Sequence, residues 1–242
     1  MSEVSDLATQ ITAFGAEHTT KMTDLQNAKT AANTAADNIY NTTKVQSIHV
    51  HPDPAIGDDA NDGLTEATPV HSWAKVTSIF KAGHDITVFV YGNWDIDKSI
   101  LQRDTPNKVT FKSAIAGGGV APIYKMNFVD ATDSANRPGG YRNKAPCRLE
   151  FYRVDPVLNS SRSFGPLEPL AFLQVDLVQC TLSRIGAGAA KFIVRYPFRG
   201  PLAITQSNFV LDPSAEGYFV DGIVAGADPS ADPLIMSSIT SG

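Results

Sequence analysis

The stretch Gly57-Asp58-Asp59-Ala60-Asn61-Asp62-Gly63-Leu64-Thr65-Glu66-Ala67-Thr68-Pro69 divides the chain into a helical part before it and a strand-forming part after it. Its residues favour left-handed backbone and side-chain-to-backbone hydrogen bonds, so a compact loop is expected, tightest at Asn61-Asp62-Gly63. Thr68 is placed to cap a helix whose first position is Pro69. Trp73, Val76, Ile79 and Phe80 then share one face, with Lys75, Ser78 and Lys81 elsewhere, which predicts a short amphipathic helix ended by Gly83.

Upstream of this loop, Val4 to about Thr42 keeps a seven-residue repeat. Val4, Ile11, His18, Leu25, Ala32 and Ile39 take its a positions, and Leu7, Phe14, Lys21, Ala28, Ala35 and Thr42 its d positions. A repeat sustained over about six heptads predicts a coiled coil, because a lone helix with so narrow an apolar seam is marginal in water. Val4, Leu7, Ile11, Phe14, Leu25, Ala28, Ala32, Ala35 and Ile39 are the oligomerisation residues; His18 and Lys21 are a polar interruption able to set register. The alternative is a helix folded back on its own domain. The repeat does not decide between two strands and three.

Downstream, Val45–Val50 reads as a strand leading into His51-Pro52-Asp53-Pro54. Asp85-Ile86-Thr87-Val88-Phe89-Val90-Tyr91 reads as a strand apolar on both faces, closed by Gly92-Asn93. Short strands are expected at Ser99–Leu101, Val109–Lys112, Ile123–Val129, Leu149–Val154, Phe172–Val178, Phe192–Tyr196, Leu202–Thr205 and Asn208–Leu211. Several alternate apolar and polar residues in period two. The starts at Leu149, Phe172 and Leu202 are spaced within the range of solenoid coils. A β-sandwich would need tight hairpin turns, which are scarce here. Glycine and proline concentrate in the connections at Ala116–Gly119, Arg137–Tyr141, Phe164–Pro166, Gly186–Gly188 and Arg199–Pro201.

The loop D-x-N-D-G-L-T with its following T-P, the short helix and the run of strands resemble the N-terminal entry of right-handed parallel β-helices. These are the pectate-lyase-like proteins, and especially bacteriophage tail fibres and tailspikes. The likeness is close over Val50 to Thr87. It implies a short helix that plugs the open end of the solenoid, a homotrimer, and a place in the virion. The fold class expected is therefore mainly β: an N-terminal α-helical coiled coil followed by a right-handed parallel β-helix (solenoid), trimeric. Residues 1–46 form the stalk or virion attachment, 47–84 an entry segment with the capping helix, and 85–242 the β-helix body with a loop-rich end.

Charge and composition narrow the partners. With 20 Lys plus Arg against 25 Asp plus Glu, the net charge is −5, which argues against a nucleic-acid backbone. The N-terminus lacks a secretion signal and no apolar run is long enough to insert in a membrane. Buried, unpaired thiols are expected at Cys147 and Cys180, and a phage structural protein assembled in the host cytoplasm fits all of this, as an ordinary cytosolic protein does too.

Chemistry is sparse. A calcium loop starting at Asp58 fails at its third and twelfth places, where Ala60 and Pro69 stand. His49 and His51 share a strand face, and some phage fibre and spike tips resemble this in using a His-x-His iron site, so the pair is a candidate metal site; packing histidines are the alternative. Asp95 and Asp97, two apart on an expected strand and so roughly 6.5–7 Å apart, suit inverting glycoside hydrolysis. Glu150 and Asp176 are a second candidate carboxylate pair, as outward neighbours on adjacent coils. No nucleophile elbow, phosphate loop or dinucleotide fingerprint occurs, and no cofactor is implied. Trp94, Tyr141, Arg142, Phe164 and Arg199, with Phe198, Arg137 and Arg162 nearby, are a candidate surface for a host glycan or protein, since rings stack on sugars and Arg forks hold acids. The function expected is a non-enzymatic, homotrimeric tail fibre for host attachment or for linking fibre parts. A tailspike depolymerase acting on host polysaccharide is the second reading, and a head or collar fibre or adaptor the third.

Overall fold

A computed structural model describes residues 2–102, 106–135, 137–194, 201–228, 230 and 235–238. The chain divides into two compact units, Met1–Lys44 and Val45–Gly242.

The first unit is a single helix, α1 (Ser2–Thr43), of 42 residues. Threonine is a poor helix former, yet Thr9, Thr12, Thr19, Thr20 and Thr23 each donate a hydroxyl to the carbonyl four residues back. Each side chain thus finds a partner without leaving the helix. Lys21 pairs with Glu17 at 2.6 Å, one turn apart. The apolar seam is bare in the single chain, with Leu7 59%, Ile11 64%, Phe14 70% and Leu25 65% exposed. The side chains of Val4, Ala32, Ala35 and Ile39 lie outside the described residues.

The second unit is built almost wholly of strands. In chain order these are β1 (Val45–Val50), then helix α2 (Trp73–Ile79), β2 (Asp85–Val90), β3 (Trp94–Ile96), β4 (Ser99–Gln102), β5 (Lys108–Ser113), β6 (Tyr124–Phe128), β7 (Gly140–Asn143), β8 (Cys147–Tyr152) and β9 (Val154–Leu158). There follow β10 (Leu167–Pro169), β11 (Leu173–Val178), β12 (Thr181–Arg184), β13 (Leu202–Ser207), β14 (Val210–Leu211) and β15 (Ile235–Ser237). They form a seven-stranded sheet in the order β1-β2-β5-β8-β11-β13-β15, a five-stranded sheet β14-β12-β9-β6-β3 and a three-stranded sheet β10-β7-β4. From β2 to β10 the chain visits the large sheet, the five-stranded sheet and the three-stranded sheet in turn, three times over. Every pairing between named strands is parallel, which excludes a sandwich of hairpins among the described residues.

The register stacks like on like. Ile48, Val88, Phe111, Phe151 and Leu177 occupy one inward ladder of the large sheet. Gln46, Ile86, Val109, Leu149, Val175 and Ile204 occupy the next. Phe111 stacks on Phe151 at 5.4 Å between centroids, and Phe128 meets Phe192 edge-on at 5.5 Å, giving the core a continuous aromatic spine.

Several expectations change. The single strand expected over Leu149–Val154 breaks into β8 and β9 at Arg153, which adopts φ +54°. Gln179 and Asn208 repeat that left-handed bend, with φ +51° each, between β11 and β12 and between β13 and β14. Only asparagine among the three announces such a bend in sequence. The expected strand Phe192–Tyr196 reduces to bridges of Ile193 with Leu167 and Val220, and residues 195–200 lie outside the description. Part of the expected connection Arg137–Tyr141 is strand β7 instead. Strands β9, β10, β12 and β15 were not expected either.

The entry loop runs along the free edge of β1. His49 N–H donates to the Gly63 carbonyl at 2.7 Å, Val70 N–H to the His49 carbonyl and His51 N–H to the Val70 carbonyl, both at 2.9 Å. The edge that would otherwise template aggregation is thereby covered. The helix behind the loop starts later than expected: Ser72, not Thr68, caps α2, its hydroxyl accepting from Lys75 N–H at 3.1 Å. Thr68 instead donates its hydroxyl to Asp62 at 2.7 Å, and Pro69 precedes the bridge of Val70 with Val50. The helix closes at Phe80 rather than at Gly83, which sits in the next turn with φ +71°.

Asp59 holds this start in place, accepting from the N–H groups of His71 and Ser72 at 2.9 Å each and from the Ser72 hydroxyl. Burial pushes its carboxyl up, but those hydrogen bonds and the His71 imidazole outweigh burial and hold it below the usual carboxylate range. A lowered carboxyl adds stability that is present above the ordinary value of about 3.9 and is lost as pH falls through the folded-state value. Asp59→Asn is therefore expected to unfold at lower urea than the parent at pH 7, by under about 1.5 kcal/mol, with the difference narrowing as pH falls below the ordinary carboxylate value of about 3.9. Urea midpoints measured across that range check it; a gap independent of pH refutes it.

Candidate functional site

Asp95, on β3, and Asp97, just beyond it, line one cleft of about 340 Å³ together with Pro52, His71, Ser72, Asn93, Trp94 and Val129. Asp95 accepts from the side-chain amide of Asn127 at 2.7 Å, its register partner on β6. Trp94 is the floor of this cleft, not a surface platform. It is 2% exposed and its indole N–H donates to the His71 carbonyl at 3.1 Å.

Glu150 and Asp176 are register partners on β8 and β11, side by side as expected. Their oxygens are already engaged. Glu150 takes Lys108 Nζ at 2.7 Å and Arg148 at 3.7 Å. Asp176, buried, takes Arg148 Nε, the Thr205 hydroxyl and, at 2.9 Å, the Gln174 amide. Sequence spacing places the pair correctly, but the cations and donors of neighbouring rungs turn it into a clasp across four strands rather than a free acid and base.

Among the described residues, two members of the expected receptor surface, Trp94 and Tyr141, are buried. Tyr141 is 3% exposed, its hydroxyl within 3.8 Å of Cys147 Sγ, and burial pushes its phenol up. Cys147 and Cys180 are free and buried, and burial pushes both thiols to about 12. Arg142 is half-buried and reaches the Ser99 carbonyl at 3.4 Å; burial, with Arg137 nearby, lowers its pKa. Phe164 lies under the Arg137 guanidinium, 4.6 Å from its ring centroid, and Arg137 also pairs with Glu168. Arg199 and Phe198 lie outside the described residues.

The two histidines belong to a different constellation. His49 stacks on Phe89 at 5.0 Å and on Tyr91 at 5.9 Å, and its Nδ1 shares a 2.8 Å hydrogen bond with the Tyr91 hydroxyl. His51 also stacks on Tyr91, at 6.3 Å. Burial lowers the His49 pKa, with Glu66 opposing, so the ring sits neutral among its aromatic neighbours. No cluster of three or more His, Cys, Asp or Glu able to hold a metal occurs among the described residues.

On the outer face of the large sheet the register continues from His49 to Phe89, Lys112 and Tyr152. Beside this ladder, His49, Glu66, Phe89, Tyr91 and Lys112 line an open cavity of about 250 Å³ that Ile115, Gly118 and Gly119 border. Sequence reasoning singled out His49 but not the rest of this group, because Phe89 reads as core in an all-apolar strand, and its neighbours Lys112 and Tyr152 come together only through the pairing of strands far apart in sequence. Two residues of period-two spacing, Phe89 and Tyr91, were the available signal.

Comparison with protein families, with curated proteins and with solved structures finds no match. No helix among the described residues is long and apolar enough to cross a membrane.

Proposed function

We propose that the chain is a non-enzymatic structural component of a bacteriophage virion, a homotrimeric tail fibre. In this reading α1 forms a coiled coil, the parallel sheets form a right-handed β-helix, and α2 plugs its entry. The carrying observation is the bare seam of α1: Leu7, Ile11, Phe14 and Leu25 are all more than half exposed along a 42-residue helix. Each such side chain gains about 1.5–3 kcal/mol on full burial, and other copies of the same helix offer a partner of matching length and period. Laddered sheets capped at one edge by a loop suit the body of a fibre, which has to be elongated without offering open edges.

The test is the solution mass of the full chain beside that of a chain beginning at Ser47, by sedimentation at micromolar concentration. A trimer that falls to monomer on truncation is the expected result and makes α1 the trimerisation element. If both are trimers, the bodies hold the assembly and α1 is a docking arm. A full-length monomer refutes the fibre reading.

A further inference from the structure

We propose that the cavity beside the His49–Phe89–Lys112–Tyr152 ladder binds a single carboxylate-bearing sugar residue of a surface polysaccharide. The volume, about 250 Å³, suits one sugar ring rather than a run of them, since sites for larger ligands begin near ~300 Å³. Its walls are aromatic: Phe89 on β2 and Tyr91, just beyond the end of that strand, both stack against the His49 ring. Its polar groups are few and of different kinds, as a specific small-ligand site requires.

Lys112 is the cation of the site. Its ammonium lies 5.9 Å from the Phe89 centroid and 5.6 Å from that of Tyr152, and no ion pair among the described residues includes it. Its neighbours on the same outer face, Lys108 and Arg148, are both paired with carboxylates. An ammonium held between ring faces and left without a counter-ion is prepared for an incoming carboxylate. Glu66 supplies the complementary half. One of its oxygens accepts from the Gly117 N–H at 2.7 Å, which fixes the carboxylate at the rim beside the cavity. The other oxygen is available to accept from sugar hydroxyls. Tyr91 and His49, joined at 2.8 Å, add a hydroxyl that donates or accepts. A carboxylate lining the same cavity as the cation disfavours a multiply charged anion such as phosphate, whereas a ligand with one carboxylate and several hydroxyls can place the first at Lys112 and the second at Glu66.

The inference rests on the fibre reading only for the source of the polysaccharide; the site stands on its own geometry. The test is calorimetric titration of the full chain with trigalacturonate and with sialyllactose, and with maltotriose and inorganic phosphate as comparison ligands. The expected result is binding of at least one acidic sugar, with maltotriose and phosphate weaker by about tenfold or more. Lys112→Gln is expected to weaken that binding by about tenfold or more, while Lys112→Arg keeps it within about threefold. Lys112 is exposed, so neither substitution threatens folding. The proposal is overturned if neither acidic sugar binds, if maltotriose or phosphate binds as well, or if Lys112→Gln binds like the parent. Sedimentation of the same samples separates the two readings. A trimer that binds no acidic sugar removes this site alone; a monomer that binds one removes the fibre and keeps the site.

Discussion

Gly140→Ala is expected to destabilise the strand-rich unit by about 3 kcal/mol or more, the upper range for overpacking a rigid interior. A Cβ on Gly140 would stand 2.0 Å from the Pro166 carbonyl oxygen, and on neighbouring Gly139 1.7 Å from that of Ile96. Neither obstacle is a flexible side chain. Pro166 accepts from the Tyr141 N–H at 2.7 Å, and Tyr141 is paired with Leu167 between β7 and β10, so the clash can be relieved only by parting two strands. Gly165 repeats the geometry one rung on, 1.9 Å from the Lys191 carbonyl. Gly117→Ala is the contrast: its φ is +76° but nothing lies within 4 Å, so it pays only backbone strain, about 1 kcal/mol. Urea unfolding at unchanged slope measures both; a Gly140→Ala variant as stable as Gly117→Ala refutes the close-approach argument.

Trp73→Ala is expected to cost about 3–5 kcal/mol, as for other buried aromatic truncations. The indole meets Phe80, Trp94 and Phe111 at centroid distances of 6.1, 5.7 and 6.1 Å, and its N–H donates to the Gly140 carbonyl at 3.2 Å. Removing it opens a cavity among three rings and leaves that carbonyl without its donor. Trp73→Phe refills most of the cavity but not the hydrogen bond, and falls between parent and alanine variant. Urea midpoints rank the three proteins; a loss under about 1 kcal/mol for Trp73→Ala would show that α2 is dispensable to the core.

The parts of this fold that the sequence reveals are those governed by local period. The repeat from Val4 to Thr42 gives α1, and alternation at Leu173, Val175 and Leu177 gives β11, because helix and strand geometry act directly on neighbouring residues. The parts it hides are set by the next rung. Gly140 looks like a turn glycine, yet it opens β7, where the close backbone of Pro166 admits no side chain. Arg153 and Gln179 carry no mark of a left-handed bend; the corner between two sheets imposes it. Trp94 and Tyr141 look like loop aromatics because the strands that bury them are short and separated by glycine and proline. Asp176 was placed correctly beside Glu150, while its use was not, since Arg148 and Thr205 reach it only through strand pairing. Lys112 meets Phe89 and Tyr152 in the same way, so the candidate sugar site could be assembled only once the register was known.

The strand order of the large sheet bears on how the chain folds. β1, β2, β5, β8, β11, β13 and β15 pair strictly in chain order, so no strand has to find a partner across the whole sequence. Parallel sheets usually fold slowly because their contacts span long loops. Here β5, β8 and β11 each close a loop of one circuit of the three sheets, and the entropy of that closure rises only with the logarithm of its length. Folding can therefore advance like a zipper from any ordered rung, and its rate depends on the first rung to form more than on the number that follow.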